Sequence, residues 1–93
     1  MPEQRSVLLV DDDERFATTL ARALERRGWQ TRIALDAATA RDVAAQAPPD
    51  AAIVDLRIGE TSGLELLPSL RKTAPRMRLI VLTGYASIAT AVR

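Results

Sequence analysis

The segment Leu8-Leu9-Val10-Asp11-Asp12-Asp13-Glu14-Arg15-Phe16 runs an apolar stretch directly into four consecutive acids. Val7 to Val10 is short, unbroken and partly β-branched, the pattern of a strand covered on both faces. A helix that follows can use one or two of the acids, because a carboxylate accepts from free N–H groups at a helix start and complements its positive end. Four are more than capping requires. Asp13 and Glu14 are assigned to the helix start, which leaves Asp11 and Asp12 at the strand end.

Outward from this segment, Asp13 to Arg27 places Phe16, Leu20, Ala23 and Leu24 at helical spacing, and Gly28 stops the helix. Trp29 to Leu35 alternates and reads as a half-exposed edge strand. Asp36 caps a second helix that runs through Ala47, with Ala40, Val43, Ala44 and Ala47 facing inward, until Pro48-Pro49 ends it. Ala51 to Asp55 is a second buried strand that ends on a carboxylate. Leu56 to Ser62 is a loop, and from Gly63 a helix turns Leu64, Leu67 and Leu70 inward before Ala74-Pro75. Pro68 inside that helix removes a hydrogen bond. Leu79 to Leu82 is a further buried run, Thr83 to Tyr85 a loop, and Ala86 onward the start of a fourth helix.

This order, βαβαβαβα with short connections, predicts an α/β fold: a doubly wound parallel sheet with helices on both faces. In such a sheet the functional crevice lies beyond the carboxyl ends of the strands. Asp11 and Asp12, Asp55 and Thr83 are all delivered there. Clustered carboxylates repel one another and raise each other's pKa. A hard divalent cation removes that conflict, and Mg²⁺, which takes one or two carboxylates and keeps positions for water and phosphate oxygens, suits the donor set. Asp55, alone at its strand tip, is the candidate nucleophile toward a phosphoryl group. Thr83 is placed to donate to a phosphoryl oxygen, Gly84 leaves room for a donor, Tyr85 is a lid or partner contact, and Arg57 offers its backbone carbonyl to the metal. The plain structural roles of these residues are a strand-end turn for Thr83, a solvated loop cation for Arg57 and a half-buried aromatic for Tyr85.

Composition excludes several other classes. Thirteen Lys and Arg against twelve Asp and Glu give a net charge of +1. The basic residues are scattered, so charge predicts neither nucleic-acid nor membrane binding. With no Cys and no His in the chain, disulfides, thiolate chemistry and imidazole catalysis are excluded. No apolar run approaches the roughly 20 residues that span a bilayer, and a cytoplasmic location is expected.

These residues resemble the response regulator receiver domain of two-component signalling. LLVDDD is similar to that family's first strand and acidic pair, IVDL to its phosphoacceptor strand, Gly63 to the loop glycine, and VLTGYA to its switch strand. VDLRIGETSGLEL and VLTGYASIATAV look most like the group of redox-responsive global regulators that includes RegA, PrrA and ActR. The resemblance implies a flavodoxin-like fold with strand order 2-1-3-4-5 and phosphorylation of Asp55 by a sensor histidine kinase. It further implies Mg²⁺ held by Asp11, Asp12, Asp55 and the Arg57 carbonyl, with Thr83 as the switch hydroxyl, and transcription regulated through an effector domain outside this segment.

Two departures follow from the same resemblance. Receivers often carry Pro four residues after the phosphoacceptor, where this chain has Gly59. Residues 1–93 also read as a receiver incomplete at its C-terminus, without the fifth strand, its Lys and the last helix. The apolar fourth strand is then an open edge, expected to pair with another chain in a homodimer or strand-swapped assembly. Two other functions remain in view: a receiver-like interaction domain that is never phosphorylated, and an aspartate-nucleophile phosphatase. The latter would place a second Asp where Arg57 stands.

Overall fold

The central strand is covered from both sides because its side chains alternate between two apolar layers. In the computed structural model, which describes residues 5–82 and the backbone of 88–90, β1 (Arg5–Val10) lies between β2 (Trp29–Ala34) and β3 (Ala51–Asp55), parallel to both. Leu8 and Val10 face a cluster with Ala40 and Ala44 of α2 (Ala37–Gln46) and with Leu66 and Leu70 of α3 (Gly63–Thr73). Val7 and Leu9 face the opposite way, toward Ala21, Leu20 and Leu24 of α1 (Glu14–Glu25). A strand buried on both faces reads as an unbroken apolar run.

β6 (Arg78–Leu82) extends the sheet beyond β3 in parallel, and β7 (Ile88–Thr90) pairs antiparallel with β6. The sheet order is β2-β1-β3-β6-β7. A two-residue hairpin, β4 (Arg57–Ile58) with β5 (Thr61–Ser62), stands between β3 and α3. The parallel order agrees with the doubly wound fold expected. Three details differ.

First, residues 88–90 form a strand where a helix was expected. Strand β6 carries an apolar row whose outer backbone groups need partners, and pairing of Ile80, Val81 and Leu82 with Thr90, Ala89 and Ile88 supplies them. The edge predicted to lie open to a second chain is covered over these residues from within the chain. The fifth position of the sheet, predicted to be missing, is filled, although by an antiparallel strand.

Second, the loop from Leu56 to Ser62 contains the hairpin, pinned to the core by buried Ile58. Third, the helix faces are rotated from the expectation. Ala17 and Ala21 are the buried residues of α1, while Ala23 and Phe16 are exposed; Leu66 and Leu70 are buried in α3 while Leu64 points outward; Ala47 is exposed beyond α2. Pro68 lies on the exposed face of α3, where water can reach the carbonyl group that the ring leaves without a helical donor.

Polar side chains set the boundaries. Asp13 and Asp36 accept from the backbone N–H of Phe16 and Thr39 at the starts of α1 and α2. The bond from Thr39 holds the Asp36 carboxyl below its ordinary pKa. Its capping contribution is therefore present above the usual carboxylate range and is lost as pH falls through the lowered value. At the amino ends of β1 and β3, Ser6 and Asp50 bond reciprocally. The Ser6 N–H donates to Asp50 Oδ2 at 2.8 Å, and the Asp50 N–H donates to the Ser6 carbonyl at 3.0 Å.

Gly63 opens α3 hard against the end of β3. Its N–H donates to the Leu56 carbonyl at 2.6 Å, and a Cβ here would overlap the Asp55 carbonyl oxygen and press on Val54 Cγ1. Backbone cannot yield as a flexible side chain can, so only glycine fits. Gly63→Ala is expected to lower the unfolding free energy by about 1–3 kcal/mol, the usual range for overpacking, measured by urea denaturation of the two proteins.

Candidate functional site

Parallel pairing of β1 with β3 puts Val10 opposite Val54, so the next residues, Asp11 and Asp55, leave the sheet side by side. Asp12 follows in the turn before α1. One carboxylate oxygen from each of Asp11, Asp12 and Asp55 lies within 4.8 Å of the others, a spacing that one small cation can bridge. Among the described residues no cationic side chain forms an ion pair with this group. The three are not equivalent: Asp11 is buried, Asp55 half-buried and Asp12 exposed.

Asp11 is held in place by its backbone. Its N–H donates to the Ala34 carbonyl at 3.0 Å, and its Oδ1 accepts from the Asp13 N–H at 2.9 Å. Burial pushes its carboxyl above the ordinary aspartate pKa. The Asp13 N–H opposes that shift, and the charges of Asp55, Asp12 and Asp13 add to it. Asp12 is reached from the hairpin, where the Gly59 N–H donates to its Oδ2 at 2.8 Å.

Of the residues singled out in the sequence, Asp11, Asp12 and Asp55 are therefore brought together. Arg57 lies in β4, two residues beyond Asp55, paired with Ser62 and exposed. Thr83, Gly84 and Tyr85 lie outside the described residues. The Leu56 N–H donates to the Leu82 carbonyl at 2.9 Å, which fixes the end of β6 beside that of β3. Gly59 is the contact that sequence reasoning missed, since no local pattern marks a backbone donor to an acid 47 residues away. An open cavity of about 600 Å³ borders the hairpin on the side of Glu65 and includes none of the three aspartates. The acidic cluster lies apart from that cavity, open to solvent at Asp12 and closed at Asp11.

A sheet of this order, with acids at the carboxyl ends of adjacent parallel strands, is a flavodoxin-like α/β fold whose crevice end is acidic. Residues 7–93 match the family model described as response regulator receiver domain. The chain belongs to that family.

Its relatives include the photosynthetic apparatus regulatory protein RegA of Rhodobacter capsulatus, 49% identical over 95% of this chain and 48% of RegA. The acid tolerance regulatory protein ActR of Sinorhizobium medicae is 47% identical over 95% of this chain and 45% of ActR. A response regulator of Burkholderia pseudomallei, crystallised with a phosphorylated aspartic acid, calcium ion and citrate, superimposes with a TM-score of 0.85 at 44% identity, over 90% of this chain and 49% of that one. The chain thus spans about half the length of the relatives it matches. No helix among the described residues is long and apolar enough to cross a membrane.

The raised pKa of Asp11 has a definite sign. A carboxyl whose folded pKa lies above its unfolded value stabilises the fold while protonated, and that contribution is lost as pH rises through the raised value. In chelator, the melting midpoint of the wild type should therefore fall relative to Asp11→Asn as pH climbs out of the ordinary aspartate range. The variant keeps an oxygen for the Asp13 N–H and should melt higher at pH 7. Thermal unfolding followed by circular dichroism across a pH series checks both.

Proposed function

We propose that residues 1–93 act as a cytoplasmic receiver module that accepts a phosphoryl group onto Asp55 from the phosphohistidine of a sensor histidine kinase. Its phosphorylated state would be read by a transcription-regulating partner or domain. The observation that carries this reading is the gathering of Asp55 with Asp11 and Asp12 at the carboxyl ends of β3 and β1, each giving an oxygen within 4.8 Å of the others.

Burial first, and then the neighbouring carboxylates, disfavour the ionised form of Asp11, and a hard cation with oxygen preference fits the donor set. Asp11, Asp12, Asp55 and the Arg57 carbonyl would hold Mg²⁺. When bound, the ion offsets negative charge on the carboxylates and on the incoming phosphoryl oxygens. Asp55 supplies the nucleophile: a carboxylate oxygen forms a bond to phosphorus as the phosphorus–nitrogen bond to the donor imidazole breaks. The bonding pair stays on that nitrogen, which takes up a proton from solvent, and the product is an acyl phosphate. Asp11 and Asp12, short and anchored, keep the cluster in register. Thr83 would donate its hydroxyl to a phosphoryl oxygen, with Gly84 leaving space beside it and Tyr85 available to cover the site or contact a partner.

Incubation with acetyl phosphate and Mg²⁺, followed by intact-mass measurement, is expected to show gain of a single phosphoryl group. Hydroxylamine should remove it, and it should be absent in chelator and in Asp55→Asn. A wild-type chain whose mass never changes, or a gain that survives in Asp55→Asn, rules the assignment out.

A further inference from the structure

The Gly59 amide is unusual among the contacts at the acidic rim, because it comes from the hairpin rather than from the strands that carry the acids. Its N–H reaches Asp12 Oδ2 at 2.8 Å. Gly59 has φ +61°, yet a Cβ built on it meets nothing within 4 Å. Glycine is therefore favoured there by backbone conformation, not by crowding, and in the turn so formed its N–H meets Asp12. The hairpin carrying it is anchored: Arg57 pairs with Ser62, Ile58 pairs with Thr61, and Ile58 is buried in the core.

Resting on the reading of Asp11, Asp12 and Asp55 as a magnesium site, we propose that Gly59 is a positioning residue for that site, fixing the Asp12 carboxylate through its backbone N–H. Asp12 is exposed, and a free carboxylate on the rim would have to give up side-chain rotation each time an ion bound. With Oδ2 engaged by the amide, much of that freedom is already lost in the folded chain. Hydrogen-bond donors behind metal ligands typically change affinity by about 10–100-fold. The same bond ties the hairpin, which also carries the Arg57 carbonyl, to the ion site.

Two substitutions bracket the position, one keeping both the N–H and the turn and the other removing both. Gly59→Asn keeps an N–H, and Asn tolerates positive φ. Gly59→Pro has no N–H and cannot adopt that φ. Titration of the chain with Mg²⁺ alone, followed calorimetrically, is expected to show affinity about tenfold or more weaker in Gly59→Pro and close to wild type in Gly59→Asn. Thermal melts in chelator establish that each variant is folded.

A second measurement leaves residue 59 intact. Hydrogen exchange at the Gly59 amide should be slow in the wild type and accelerate in Asp12→Ala, with the rest of the hairpin unchanged. Wild-type Mg²⁺ affinity in Gly59→Pro, equal weakening in both variants, or a Gly59 amide that exchanges equally fast with and without the Asp12 carboxylate overturns the proposal. A wild type that binds no Mg²⁺ at all overturns the underlying site assignment as well, and so is distinguishable from failure of the Gly59 role alone.

Discussion

Mutual repulsion among three carboxyl groups is the constraint around which this chain is arranged. Parallel pairing of Val10 with Val54 commits Asp11 and Asp55 to adjacent exits from the sheet, and burial of Asp11 denies it solvent that would weaken the conflict. What keeps the groups together is the apolar sandwich behind them, in which β1 is clad by α1 on one face and by α2 and α3 on the other. The hydrophobic layers stabilise a fold whose electrostatics at one end are unfavourable until a cation or a proton arrives. An acidic pocket spaced for one small cation is thus built into the strand register.

The connection between β3 and α3 serves the same end with backbone rather than side chains. Gly63 lets the helix start against the Asp55 carbonyl, Leu56 is bonded to both β6 and Gly63, and the hairpin returns an amide to Asp12. The residue that would become phosphorylated is followed at once by a tightly determined turn.

Much of this was legible in the residues. Unbroken apolar runs ending on acids, at Val10-Asp11 and Val54-Asp55, announce parallel strands and place their side chains at one end of the sheet. The helix faces were less readable, because Ala17 and Ala21 are small enough to pack closely on the sheet while larger Phe16 and Leu64 lie outside. Size was a poor guide where the gap between layers is narrow. The hairpin escaped notice because strands of two residues have no period to detect. Ile88–Thr90 went to a strand because an unpaired neighbouring edge outweighs local helix preference. The Gly59 contact is a tertiary product of turn geometry and has no sequence signature.

The polar clasp between Ser6 and Asp50 lies at the far end of β1 and β3 from the acids, yet it governs them. A slip of one residue between strands sends every side chain to the opposite face, which would swing Asp11 away from Asp55. Reciprocal bonds at the amino ends make such a slip costly. Asp50 is exposed and touches no part of the acidic rim, so by inspection it would pass for a freely variable surface position. Its latitude is limited instead by alignment, and the placement of the acids at one pole of the sheet is tied to contacts at the other.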